Sequence, residues 1–242
     1  YQINQTPKVD RLILVTDEAK EYYSKYYGID EKKITVLPSY ISTERFKGFE
    51  NKDDNILSEE KPFTAVYFGE TGLRRGTMTI LESARILKRE NIKFIIIGNS
   101  REQPFLENTA KRWELDNVTL TGRLPVAEAM KIIATSDVGL CPFLRNIHHD
   151  TTYANKMFQY MALGKPIVVS DCTAQLNVVK LENCGLVFSS GNASDLSEKI
   201  LVLTNKSVYE ELSKNARSCI YSKYNWETSG VRLTDLYNKL LK

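Results

Sequence analysis

Four cysteines in 242 residues, Cys141, Cys172, Cys184 and Cys219, form no C-x-x-C pair and stand mostly in apolar contexts. That argues against a disulfide framework and a zinc ribbon, and predicts reduced core thiols of a cytosolic protein. Long hydrophobic runs are missing too. The longest, such as 94–97, are of strand length, far short of the ~18 residues a membrane span needs. An excess of one charge is also absent. With a net charge of +3 and no basic stripe interleaved with aromatics, no nucleic-acid partner is expected. The only histidines, His148 and His149, have Asp150 as the one carboxylate beside them. That is too thin a ligand set for a metal, and an exposed loop is expected there, with a polar ligand contact as the lesser alternative. The chain opens without methionine, signal peptide or transit pattern, so a piece of a longer protein is expected.

What is present fits an ordinary folded chain. With 42% hydrophobic and 26% charged residues, 242 residues suffice for one domain and an appendage. Residues 11–16 have strand character, Asp17 is a candidate N-cap for a helix that Gly28 ends, and 33–37 is a second strand. On that helix Tyr22, Tyr23, Tyr26 and Tyr27, with Lys20 and Lys25, suit a face packed on a neighbouring helix or domain; the lesser alternative is a membrane-surface face. The polar, charged segment 44–62 is a predicted linker. Strands are then predicted at 63–68, 93–97, 118–121, 138–142, 166–170 and 185–188, helices at 75–89, 101–114, 126–135, 153–163 and 174–181, and a helical tail over 194–242. Short β-branched runs alternating with amphipathic helices predict an α/β fold, a Rossmann-like parallel sheet with helices on both faces.

The most informative stretch is 146–171, a loop, a short helix and a strand. At 100° per residue, Thr152, Asn155, Lys156, Gln159 and Leu163 share a ~100° arc, and Tyr153, Ala154, Met157, Phe158 and Met161 fill the other side. One face is core; the other is polar and carries a cation. The helix is expected to begin near Thr151, capped by Asp150 or Thr151, and to stop at Gly164. In an open parallel sheet its free N–H groups face the crevice beyond the carboxyl ends of the strands, where phosphates bind. Pattern alone leaves open both a plain core helix and a nucleotide-diphosphate site.

The run 155–168 resembles the donor-site segment of the retaining group 1 glycosyltransferases, which are built on the GT-B fold. Further landmarks resemble that family along nearly the whole chain. Residues 9–20 with 33–38 are similar to its passage from first to second domain, and 68–76 to the glycine-containing loop that opens the second. Residues 121–125 and 134–142 are similar to its base-binding loop and the next strand, and 184–188, 215–217 and 224–226 to its closing segment.

The resemblance implies the GT-B C-terminal domain with a remnant of the N-terminal domain. It divides the chain into 1–43 (end of the N-terminal domain and crossover), 44–62 (linker), 63–225 (nucleotide-sugar-binding domain) and 226–242 (a helix packing back toward the N-terminal domain). It implies transfer of a sugar from a nucleotide diphosphate sugar to an acceptor with retained configuration, with no cofactor or metal, and no D-x-D signature stands in a plausible loop. The partners implied are the donor and the missing N-terminal domain with its acceptor site, so this piece alone is expected to be inactive. A cytoplasmic location, or one peripheral to the inner face of a membrane, follows. By the same resemblance Arg75 and Lys156 are the cations facing the leaving diphosphate. Gly69, Glu70 and Arg74 belong to the glycine loop, Gly122 and Leu124 to the base-binding loop, and Thr151, Thr152, Asn155 and Gln159 to the donor side. Two departures stand out: Glu70 replaces a frequent Arg, and the family's paired glutamates, eight positions apart, fall on Thr151 and Gln159. They favour an alternative, a catalytically degenerate nucleotide-binding or scaffolding module.

Overall fold

The structure, a computed structural model, describes residues 9–49 and 61–241. At its start β1 (Leu12–Leu14), α1 (Asp17–Tyr27) and β2 (Ile34–Val36) form a separate two-stranded parallel sheet with its crossover helix. Thr16 caps α1, its hydroxyl accepting from the Ala19 N–H. The predicted linker falls largely on residues outside those described; at its start Thr43–Phe46 make a 3-10 turn that buries Phe46.

Beyond it, the chain alternates strand and helix: β3 (Phe63–Phe68), α2 (Thr77–Ile86), β4 (Ile92–Ile97), α3 (Gln103–Arg112), β5 (Val118–Gly122), α4 (Val126–Thr135) and β6 (Val138–Cys141). Then follow α5 (Ile147–Asp150), α6 (Asn155–Ala162), β7 (Ile167–Ser170), α7 (Thr173–Glu182) and β8 (Gly185–Phe188). The strands are all parallel, in the order β5-β4-β3-β6-β7-β8. The chain therefore builds the sheet outward from β3, then returns to start again at β6. Between those two strands the direction of winding reverses, and a crevice opens at their carboxyl ends.

Period-2 alternation distributes the core over both faces. Ala65 and Tyr67 of β3 share one buried cluster with Ile80 and Leu81 of α2 and Leu106 of α3, whereas Val66 joins Ile133 of α4 and Met157 and Phe158 of α6 in the other. Each such Ile, Leu or Phe contributes about 1.5–3 kcal/mol by leaving water.

The helical tail is built of three helices, α8 (Ala193–Val202), α9 (Lys206–Ser222) and α10 (Trp226–Leu240), restarted by the Asn205 and Asn225 caps. One expectation is corrected: no helix begins near Thr151. Asn146 caps α5 by accepting from the His149 N–H, and the hydroxyls of Thr151 and Thr152 donate back to the carbonyls of Ile147 and His148, ending that turn. The main helix restarts only at Asn155, with Ala154 at its N-cap position. Asp150 caps a different helix, accepting from the N–H of Thr173 at the start of α7.

Candidate functional site

The carboxyl ends of β3 and β6 carry the chain into two loops, Gly69–Glu70 with the 3-10 turn Leu73–Arg75, and Pro142–Phe143 leading to α5. Tyr160 ties the first loop to α6, because its hydroxyl accepts the Phe68 N–H at 2.8 Å. Its ring fits only because Gly139 has no side chain: a Cβ there would lie 2.2 Å from the Tyr160 Cγ. The N-terminus of α6 is thereby held over the crevice. No side chain caps it, and the N–H groups of Asn155 and Lys156 have no partner among the described residues.

A cleft of about 470 Å³ lies here, lined by Gly69, Glu70, Arg75, Thr152, Asn155, Lys156 and Gln159 along with Phe143 and His148. Val15 and Ser39, from the first 43 residues, close another side. The Lys156 ammonium sits 3.5 Å from the Tyr67 ring centroid and 5.4 Å from that of Phe143. Among the described residues it has no ion pair or hydrogen bond. Burial lowers its pKa to about 7, and nearby Arg75 acts in the same direction. Such an amine takes up a proton when an anion arrives.

Arg75 is less free. Its Nε donates to Glu70 Oε2 at 3.1 Å, and Arg74 donates to the same oxygen at 3.2 Å. Those bonds, with Arg75 foremost, hold the Glu70 carboxyl below its usual range. Glu70 thus already binds one of the two cations of the cleft.

A second cleft, of about 950 Å³, shares Phe68, Gly69 and Glu70 with the first and continues to Ser100, Arg123 and Leu124. Gly122 ends β5 just before it, its carbonyl accepting from the Gly98 N–H. The structure thus brings Gly69, Glu70, Arg75, Thr152, Asn155, Lys156 and Gln159 to one cleft and Leu124 to the adjoining one. Arg74 reaches neither and lies on the surface behind Glu70. Thr151 also turns away: its carbonyl accepts from Thr16 Oγ1 at 2.6 Å, and it lines a third cleft of about 270 Å³ against α1.

His149 is the residue that sequence reasoning misplaced. It is buried rather than looped out, stacked on Phe143 with ring centroids 4.5 Å apart and with Nε2 3.5 Å from Arg75 Nη1. The Asn146 to His149 spacing, a capping side chain three residues before the N–H it accepts from, was the available signal. Leu163, placed on the polar arc, is buried as well. Among the described residues no group of three or more His, Cys, Asp or Glu is placed to hold a metal, no helix is long and apolar enough to cross a membrane, and the four cysteines are buried and unpaired.

The fold and crevice define a doubly wound α/β domain with cations and a helix N-terminus at its switch point. Residues 48–219 match the family model described as glycosyl transferases group 1, and the chain belongs to that family. It is 25% identical over 247 residues to the N,N'-diacetylbacillosaminyl-diphospho-undecaprenol alpha-1,3-N-acetylgalactosaminyltransferase of Campylobacter jejuni, covering 95% of this chain and 60% of that protein. It is 23% identical over 223 residues to the capsular polysaccharide biosynthesis glycosyltransferase CapM of Staphylococcus aureus, with coverages of 88% and 57%. The solved Anabaena protein HepE, in complex with UDP, superposes with a TM-score of 0.83 at 13% identity, covering 98% of this chain and 66% of that one. A glycosyltransferase from Rickettsia africae gives 0.84 at 14%, with coverages of 100% and 66%. The two structures speak for the fold alone. The chain spans 57% to 66% of the length of these four proteins.

Proposed function

We propose that this chain is the donor-binding half of a glycosyltransferase that moves a sugar from a nucleotide diphosphate sugar to an acceptor, with retention of configuration and without a metal. The observation that carries it is the meeting of Arg75, Lys156 and the uncapped N-terminus of α6 in one cleft at the switch point. In this proposal the diphosphate lies between Gly69 and α6, the base enters the second cleft beside Leu124, and Gln159 faces the ribose. Charge developing on the leaving diphosphate is met by the two cations and the helix N–H groups. Thr152 and Asn155 face the donor sugar, while Arg74 and Thr151, turned away, play no direct part.

Residues 1–43, with β1 and β2, are then the end of an N-terminal domain that carries the acceptor site. Residues 44–62 form the linker and 63–225 the donor domain. The helix over 226–242, whose Val231, Tyr237 and Leu240 are exposed, packs back on that domain. HepE was solved with UDP, and the name of the Campylobacter relative specifies a diphospho-undecaprenol acceptor. Uridine diphosphate and a polyprenyl-diphosphate acceptor are therefore the first to try, and such an acceptor suits a cytoplasmic protein peripheral to the inner face of a membrane.

A nucleoside diphosphate at 100 times its Kd adds about 2.7 kcal/mol to stability, which for a chain of this size raises Tm by roughly 5–10 °C. Melting curves with uridine, guanosine, adenosine and thymidine diphosphates at millimolar concentration check this; four unshifted curves would remove the donor site. Gln159 lines the cleft, and its side chain has no hydrogen-bond partner among the described residues. Gln159→Ala should weaken the tightest nucleotide by about three- to tenfold, the worth of one or two neutral hydrogen bonds, and leave Tm without ligand unchanged. Equal calorimetric affinities would take Gln159 out of the site.

The grip of Glu70 on Arg75 favours a second possibility, a module that keeps the fold and has lost transfer. Sugar release from UDP-sugars by the full-length protein distinguishes the two, since the degenerate module releases none.

A further inference from the structure

Arg75 is held from two sides. Its Nε is bound by Glu70, and its Nη1 lies 3.5 Å from Nε2 of His149. The state of that imidazole follows from its other nitrogen. Nδ1 lies 2.7 Å from the carbonyl oxygen of Leu144, and a carbonyl only accepts; Asn146 Nδ2, 3.0 Å from the same nitrogen, has that carbonyl as its own acceptor at 3.1 Å. Nδ1 therefore carries the proton, and Nε2 of the neutral ring offers a lone pair. Burial keeps the ring neutral, lowering its pKa; the Leu144 bond offsets this in part, while Arg75, His148 and Arg74 add to it.

The ring has little freedom to move. It is stacked on Phe143 at an interplanar angle of 29°, and its backbone N–H is tied to Asn146 Oδ1 at 3.0 Å. The guanidinium of Arg75 lies over the same Phe143 ring, 5.0 Å from its centroid. Phe143 is thus a shared platform for donor and acceptor. With Nε and Nη1 engaged, Nη2 has no partner among the described residues. A carboxylate in place of His149 would grip Arg75 more tightly but set a second anion, beside Glu70, against an incoming phosphate. A neutral acceptor orients the cation without that opposition.

We propose that His149 is a positioning residue of the nucleotide-diphosphate site, its Nε2 accepting from Arg75 so that Nη2 is left to meet a phosphate oxygen. This rests on the donor-site proposal above. The test is a double-mutant cycle read by calorimetric titration with UDP, or with whichever nucleoside diphosphate the melting screen finds tightest. His149→Phe keeps the stack on Phe143 and removes the acceptor, and should weaken binding by about three- to tenfold. His149→Gln, which restores an acceptor oxygen, should recover affinity to within about twofold of wild type. In an Arg75→Ala background His149→Phe should change affinity by less than about twofold, because the group it orients is gone. An equal loss in both backgrounds would overturn the proposal and make His149 a residue of the fold. Ring nitrogen chemical shifts of the unaltered chain give a reading that does not depend on the variants folding: a neutral Nδ1–H tautomer at pH 7 is required, and a proton on Nε2 would overturn it. Absence of nucleotide binding by the wild type, by contrast, would end the donor-site proposal itself.

Discussion

Lys156→Met should weaken nucleotide diphosphate binding while making the ligand-free chain more stable. Lys156 carries an amine between the rings of Tyr67 and Phe143 with no ion pair among the described residues. Desolvation of the amine, which brings its pKa down to about 7, costs about 1–3 kcal/mol, of which the ring contacts return part. A methionine of similar length keeps the packing and ends the cost, so Tm should rise by roughly 2–4 °C, the equivalent of about 1 kcal/mol. Affinity should fall by about ten- to a hundredfold, the worth of a hydrogen bond to a charged group. A methionine variant that bound UDP as well as wild type would displace Lys156 from the site.

The pH dependence follows with opposite signs for the two quantities. Burial brings the Lys156 pKa down to about 7, against 10.5 for an ordinary lysine. Between those values the unfolded chain holds the proton and the folded one does not, so this group's contribution to ligand-free stability rises with pH from 7 to 10.5 and is lost as pH falls. A bound diphosphate raises the amine's pKa. Above pH 7 binding must therefore take up a proton, and affinity should drop by up to about tenfold per pH unit. Titrations at pH 8 in buffers of different ionisation enthalpy would show that uptake, and Lys156→Met should show neither slope.

Gly76→Ala should be among the most damaging small substitutions in the chain. Gly76 joins the Leu73–Arg75 turn to α2 with φ at 77°, and an added Cβ would lie 1.6 Å from the carbonyl oxygen of Pro142. The loops after β3 and β6 can approach only because that space is empty. Left-handed backbone alone costs a non-glycine residue about 1–2 kcal/mol. The clash with a backbone atom adds overpacking of about 1–3 kcal/mol, so a Tm drop of roughly 4–20 °C is expected. Gly122→Ala is the control. Its φ is 67° but nothing lies within 4 Å of the added Cβ, so only the left-handed cost should appear, a drop of roughly 2–8 °C. Equal melting temperatures for the two variants would contradict the packing of the switch-point loops.

Much of the scaffold was legible in residue order because its causes are local. The helix over Val126–Thr135 and the strands Phe63–Phe68 and Gly185–Phe188 came out with the boundaries expected from periodicity and turn residues. Strand order was less local. Which strands become neighbours depends on right-handed crossovers, and the sequence pattern implied a parallel sheet without naming β3 and β6 as the central pair. Around 146–155 local reasoning failed for a physical reason. Asp150 is a good cap by composition, yet its carboxylate finds the N–H of Thr173, 23 residues away, and a cap that can serve two helices serves the one that packing brings to it.

The same division holds at the candidate site. From its sequence alone this chain was bound to be an α/β protein with a cation on the polar face of a short helix, because hydrophobic period and side-chain charge are properties of residues in order. Tertiary structure decided which charges are already satisfied. Glu70 and Arg75 are five positions apart and close an ion pair across a turn, His149 is drawn inward by Phe143 and Leu144, and Thr151 is turned toward Thr16. Lys156 alone of the two candidate cations is left without an ion pair there, among the described residues. Whether an ion is free depends on distances across the fold, and those are set only when sheet and helices close around it.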